Sequence, residues 1–302
     1  MRPPASLSPR HAIALGLAHG PCELLPVSSS AHTILIPWLA GWPYGELDAE
    51  LRKSFEVALH AGTAVALTID LARRAAQRPS GGRPCRLTAG LTATLNGRKG
   101  ARGRGHLLDV RRAQLIALSL LPPAAAGYAL EEHIQRRLSD PATIAGGLLV
   151  GSLAMGFADA RNPAGSRRLK NAGMLDGLLL GGAQALALAP GVSRSGATLA
   201  VARARGFGRR QAAILSRQVG LPVILGASAL KGGRLLRHGA PEGASAALAA
   251  GGAAAFLSTL VSIGLARRGG RGEERSLLAY CLYRCALAAV IIRRLTGAHN
   301  MS

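Results

Sequence analysis

The segment His19-Gly20-Pro21-Cys22-Glu23-Leu24-Leu25-Pro26-Val27-Ser28-Ser29-Ser30-Ala31-His32 holds two imidazoles, one carboxylate and three consecutive hydroxyls. A second segment, Ala189-Pro190-Gly191-Val192-Ser193-Arg194-Ser195-Gly196-Ala197-Thr198, sets an arginine between two serines. Each reads as a turn leading into a short helix, where hydroxyls, unpaired backbone N–H groups and the helix dipole favour an anion. Arg194 adds a planar cation suited to phosphate oxygens. Ser28, Ser193, Ser195 and Arg194 therefore form a candidate phosphate cradle. Phosphoryl transfer also requires a nucleophile and a proton shuttle or metal ion. Ser29 and His32 are three apart, so a helix beginning near Ser29 presents both on one side, able to converge on one phosphorus. His19 and Glu23 are four apart, a spacing that suits a shared metal ion or an acid/base pair, and Glu56 with His60 repeats it. Plainer roles stand beside these. His32 could be a satisfied interior histidine, Arg194 half of an interhelical salt bridge, and Ser28 and Ser30 partners of the turn backbone. Glu56 and Asp70 fit interfacial positions, and Arg217 and Arg284 fit structural pairing.

The scaffold that must position these groups is apolar. Of 302 residues, 49% are hydrophobic and 17% charged, against about 25% charged in an average soluble protein. The net charge of +22 would suit nucleic acid, but 3% aromatic content removes the stacking platforms of single-strand binders, and long apolar runs have no place in a basic soluble module. No nucleic-acid partner is expected. The four cysteines lack CxxC or zinc-ligand spacing, so neither a disulfide framework nor a structural zinc site is predicted.

Six runs are long enough to cross about 30 Å of hydrocarbon, over 55–72, 113–130, 141–158, 211–230, 244–266 and 277–292. Paired basic residues at Arg73-Arg74, Arg111-Arg112, Arg267-Arg268 and Arg293-Arg294 mark interfaces. Two other regions, 11–41 and 172–206, are apolar but broken. Their second limbs, 31–40 ending at Gly41 and 196–205 ending at Gly206, span only about 15 Å as helices, so each region reads as a re-entrant hairpin, tolerated where protein or water satisfies its backbone. The first runs into Pro21, Glu23 and serines rather than a small-residue cleavage site, so no cleavable leader is expected.

A shift of 165 residues superposes Gly16 on Gly181, Val27 on Val192, Ser28 on Ser193, Ser30 on Ser195 and Thr33 on Thr198. The predicted fold is an all-α integral membrane protein of about ten helices in two inverted-topology repeats, 1–160 and 161–302, each a re-entrant hairpin plus three transmembrane helices, with the site between them. With both termini outside, the loops 73–112, 159–171, 203–210 and 267–275 carry 23 Lys/Arg inside against 11 outside, in agreement with the positive-inside rule. Arg194, Arg217 and Arg284 remain at membrane depth. The Gly/Arg-rich stretch within 73–112 is expected to be a cytoplasmic insertion that meets anionic headgroups.

Glu23 to His32 and Pro190 to Thr198 resemble the two signature motifs of the bacterial undecaprenyl-diphosphate phosphatase family, associated with bacitracin resistance. Phe55-Glu56-Val57 with Gly62, and Tyr283-Arg284, extend the resemblance over nearly the whole chain. It implies a multi-pass inner-membrane enzyme with its site toward the outer face, removing the terminal phosphate of undecaprenyl diphosphate to regenerate the carrier lipid of peptidoglycan synthesis. It also implies a divalent cation, Mg or Ca with Mn as a variant, and is compatible with a homodimer. Carried over, Glu23 is a metal-associated acid, with His19 a further ligand; Ser29 is nucleophile or phosphate ligand, His32 nucleophile or general acid/base, and Arg194 the phosphate clamp. The chain departs from the pattern where His19 replaces the usual Glu or Gln, where His60 replaces Gln, and where the Ser216-Arg217 region replaces an acidic position ahead of Leu221-Pro222. The added imidazoles either preserve metal binding with a softer preference or mark a paralogue acting on another lipid diphosphate. Two other functions share this architecture: a transporter or flippase for a polyprenyl phosphate or small anion, and a catalytically silent lipid-binding paralogue. The Ser29/His32 pair facing Arg194 favours chemistry, because transport needs the clamp but no nucleophile.

Overall fold

The computed structural model describes residues 6–76, 104–138, 140–163, 165–238, 243–268 and 276–299. Within them the chain forms ten α-helices: α1 Pro9–Leu24, α2 Ser29–Ala40, α3 Ala49–Ala76, α4 Arg104–Arg137, α5 Pro141–Arg161, α6 Met174–Leu186, α7 Arg194–Ala204, α8 Arg209–His238, α9 Ser245–Arg268 and α10 Leu278–His299. Among the described residues the only extended pairing is a single bridge between Arg167 and Phe207. Most of the basic stretch expected as a cytoplasmic insertion, 77–103, lies outside the described residues.

Five helices are long and apolar enough to cross a membrane, over Ala49–Arg73, Val110–Leu130, Pro141–Arg161, Arg209–Leu230 and Ser245–Arg268. The sixth expected span coincides with α10, whose 22 residues reach about 33 Å, but it carries three arginines, at 284, 293 and 294, and is not among the five. Large apolar side chains remain exposed at helical spacing on the outer faces, Val150, Leu153 and Phe157 on α5 and Leu257, Val261 and Leu265 on α9. In water such stripes would be a liability; in hydrocarbon they are the lipid-facing surface of a multi-pass membrane protein.

Both short helices end as the sequence predicts, on left-handed glycines, Gly41 at φ 70° and Gly206 at φ 82°. Each begins two residues earlier than its apolar limb, because the polar first turns Ser29-Ser30 and Arg194-Ser195 are already helical. The long helices likewise run past the apolar windows, α3 from Ala49 and α4 to Arg137, since Glu, Lys and Arg continue a helix well after it leaves hydrocarbon.

Interlocking is tight at the first helix of each hairpin. Helix α1 packs along α9, and α6 along α4. Gly16 makes the first approach possible: a Cβ there would lie 2.8 Å from that of Ala254. Gly181, its partner in the 165-residue shift, does the same on α4, where a Cβ would lie 2.8 Å from Pro122 Cδ. Small residues at such crossings let helix backbones meet where no hydrophobic force drives association. Helix α10 packs on α5, α5 on α7, and α3 on α8.

Charged groups near the helix ends are neutralised locally. Asp159 takes Arg203 (2.8 Å) and Arg209 (3.0 Å), and Asp176 takes Arg167 (2.9 Å) and Arg205 (2.8 Å). Arg203, counted above with a loop, instead lies on α7 with no exposed surface. Asp70 pairs with Arg267.

Candidate active site

The chain leaves α1 at Leu25, which turns extended because Pro26 follows and cannot continue the helix. It re-enters helix at Ser29 through Ser28, and the second hairpin re-enters at Arg194 through Ser193. Ser28 (φ 74°) and Ser193 (φ 67°) are the only non-glycine residues with positive φ among the described residues. An L side chain held in that region costs about 1–3 kcal/mol, and such strain gathers at functional sites. The two turns match in detail. In each, the cap serine Oγ lies 3.3 Å from the hydroxyl two residues on, Ser28 to Ser30 and Ser193 to Ser195.

Three predicted residues meet directly. The Glu23 carboxylate, buried in the last turn of α1, receives the Arg194 guanidinium on Oε1 at 2.7 Å and the Ser29 hydroxyl on Oε2 at 2.5 Å. Arg194 finds room because residue 220 on α8 is glycine; a Cβ there would collide with Nη1 and lie 3.2 Å from Cζ. Ser195 Oγ donates to the Leu25 carbonyl at 3.1 Å, so the second turn is stitched to the first. Ser193 Oγ accepts from the Gly196 N–H. The Ser28 hydroxyl meets that of Ser30 and caps no backbone N–H, the Ser193 hydroxyl caps its own helix, Ser29 bonds back to α1, and Ser195 reaches across to the first turn.

His32 stands apart from this group and makes no hydrogen bond to Ser29, Glu23 or Arg194. Its Nδ1 lies 2.7 Å from the Ser28 carbonyl and its Nε2 2.7 Å from the Tyr283 hydroxyl. A carbonyl only accepts, so Nδ1 carries the proton and Nε2 accepts from Tyr283. Tyr283 was visible in the sequence only as part of a weak motif, with nothing to indicate which side chain it meets.

Arg284, next to it, is wholly buried. Nη1 donates to Pro26 O at 3.2 Å, and Nη2 sits 3.0–3.4 Å from the carbonyls of Gly147, Leu148, Gly191 and Val192. One cation therefore binds the backbone of both hairpin turns and of α5. Its structural reading holds.

Two imidazoles approach the Glu23 oxygen that also accepts from Ser29. His19 Nε2 and His60 Nδ1 are each 3.8 Å from Glu23 Oε2, and the rings meet edge to face at 4.7 Å between centroids. The ligand atoms of His19, Glu23 and His60 all lie within 4.8 Å of one another. His60 comes from α3, and although its spacing to Glu56 drew attention, the carboxylate it approaches is Glu23. His19 is 2% exposed, and neither of its ring nitrogens has a hydrogen-bond partner. A buried polar group without a partner calls for an explanation, and these three side chains have the donor atoms that could hold a metal ion.

A sequence model of the family described as bacitracin resistance protein BacA matches residues 12–290. The undecaprenyl-diphosphatase of Geobacter metallireducens is 37% identical over 291 residues, which cover 95% of this chain and 98% of that protein. The enzyme of the same name from Geobacter sulfurreducens is 36% identical over 283 residues, 93% and 96% of the two chains. That of Pelotomaculum thermopropionicum is 32% identical over 281 residues.

Proposed function

The chain belongs to the bacitracin resistance protein BacA family, and on that premise we propose that it hydrolyses undecaprenyl diphosphate to the monophosphate and inorganic phosphate, recycling the carrier lipid of cell-wall synthesis. The observation that carries this reading is the Glu23 carboxylate held between a hydroxyl and a guanidinium. The Ser29 O–H already donates to Glu23, so as Ser29 Oγ forms its bond to the terminal phosphorus the proton passes to Oε2. The bridging P–O bond breaks and undecaprenyl phosphate leaves. Arg194 turns its fork to the equatorial oxygens, stabilising charge that grows in the transition state. Water then attacks the phosphoserine, Glu23 returns its proton to the departing Ser29 Oγ, and the phosphate leaves carrying the protons of that water, so the pair regains its starting state. Undecaprenyl phosphate departs as its anion, and His32, with both nitrogens engaged, holds the Tyr283 hydroxyl in position to turn and hydrogen-bond the phosphate. A divalent cation would be held by His19, Glu23 and His60, and when bound it supplies fixed positive charge beside the phosphate.

We read the halves 1–160 and 161–302 as inverted repeats in the bacterial inner membrane with the site opening outward. The like-shaped turns at Ser28 and Ser193 and the exchanged packing of α1 on α9 and α6 on α4 support that reading. A transporter would need the two hairpins to separate, and Arg284 bonds both turns.

The test is phosphate release from undecaprenyl diphosphate by detergent-purified protein. Ser29→Ala, Glu23→Gln and Arg194→Ala should each lose about a hundredfold or more while remaining inserted and monodisperse. His32→Ala should lose rate at every metal concentration. Retention of more than about a tenth of the activity by Arg194→Ala removes it from the chemistry.

A further inference from the structure

We propose that His19, Glu23 and His60 form a site for a zinc-class divalent ion, one that prefers imidazole nitrogen, and that magnesium or calcium is a poor fit to it. The proposal rests on the phosphatase reading only in that the ion would share Glu23 with the chemistry.

The donor set decides the class. Mg²⁺ and Ca²⁺ take six to eight oxygens, from carboxylates, carbonyls and water. Here the only carboxylate is that of Glu23, one of whose oxygens is already bound to Arg194 at 2.7 Å, and the other two members are imidazoles. Two imidazoles and one carboxylate suit Zn²⁺ or a neighbouring transition ion. Three protein ligands with one open position is also the pattern of catalytic rather than structural zinc sites.

Geometry and burial agree. Ligand atoms around a tetrahedral zinc stand about 3.3 Å apart, given bonds of about 2.0–2.1 Å. The two nitrogens lie 3.8 Å from Oε2, and all three ligand atoms lie within 4.8 Å of one another, so closure draws each nitrogen about 0.5 Å toward Oε2 and the widest separation in by up to about 1.5 Å. His60 can provide it, since its side chain is partly exposed at 38% and sits on a different helix from the other two. His19, with two buried and unpartnered nitrogens, gains a bond where it now has none.

Cobalt(II) makes the site visible. Full-length protein, stripped with EDTA in detergent and titrated with Co²⁺ without substrate, should develop the visible d–d bands of a four- or five-coordinate N/O site, saturating at one ion per chain. Stoichiometric Zn²⁺ should erase them, and a large excess of Mg²⁺ or Ca²⁺ should not. His60→Gln should weaken Co²⁺ binding at least about tenfold, and His19→Glu with His60→Gln should shift preference to Mg²⁺ or Ca²⁺, with gel filtration verifying the fold of each. Absence of the bands, displacement by Mg²⁺ or Ca²⁺ at concentrations comparable to Zn²⁺, or unchanged binding in both variants would overturn the proposal. Because binding is read without substrate, the two readings fail separately. A protein that binds zinc and releases no phosphate contradicts the phosphatase, and one that releases phosphate without a nitrogen-preferring ion contradicts the metal class.

Discussion

Gly220→Ala perturbs the site without removing any functional group. The added methyl would overlap Arg194 Nη1 and lie 3.2 Å from Cζ, whereas carbon atoms rest about 3.5–4.0 Å from their neighbours. The guanidinium must therefore retreat by about 1 Å. Its 2.7 Å contact with Glu23 then opens beyond hydrogen-bonding range, and its fork leaves the axis on which a phosphate would be met. A charge-assisted hydrogen bond is worth about 1.5–3 kcal/mol net, so kcat/KM for undecaprenyl diphosphate should fall about ten- to a hundredfold. Stability should be unchanged or higher, because alanine is the better helix former by about 1 kcal/mol and the atom displaced is the end of a flexible side chain. The assay is steady-state phosphate release beside thermal unfolding in detergent. A double-mutant cycle sharpens it: in an Arg194→Ala background Gly220→Ala should cost nothing further, since there is no guanidinium left to displace. A single variant with more than about half of the wild-type kcat/KM, or an additive cycle, would refute the steric argument.

Arg284→Met should lower stability by about 3–5 kcal/mol, since three turn carbonyls and two on α5 lose their donor; an unchanged melting temperature would remove it from its structural role. Sidedness is read with single cysteines at exposed positions after Cys22, Cys85, Cys281 and Cys285 are changed to serine. Glu46→Cys should react with an impermeant maleimide in intact cells and Arg168→Cys only after lysis, and the reverse pattern would turn the site to the cytoplasm.

The broken helices were legible because Pro, Ser and Gly interrupt apolar runs too short to span, and the lengths of 31–40 and 196–205 sufficed to place both hairpins within two residues. Helix ends were less legible, since hydropathy marks where a helix meets lipid, and α3 and α4 continue beyond that boundary on charged residues. Motif spacing brought Glu23, Ser29 and Arg194 forward, and the structure places the three in contact, although their join at a single carboxylate is a tertiary fact. Spacing within one helix pointed His60 at Glu56, whereas the packing of α3 decides that it faces Glu23. Tyr283 stood in a motif without an assigned contact for the same reason: its partner lies 251 residues away, and no periodicity encodes that distance. Arg203 was counted with a loop because charge patterning cannot distinguish a solvated arginine from one enclosed with Asp159.

Arg284 and Tyr283 belong to α10, the last described helix to leave the ribosome. The carbonyls of Pro26 and Val192, set down far earlier in synthesis, wait for that helix to supply their shared cation, and His32 waits for its phenol. A nascent chain halted before α10 would carry Glu23, Ser29 and Arg194, with Ser195 on the Leu25 carbonyl, yet lack the buried cation that binds the backbone of both turns. Insertion of the final helix therefore acts as the closing step of maturation, and truncated products left in the membrane should be inert bystanders with no uncontrolled hydrolytic activity.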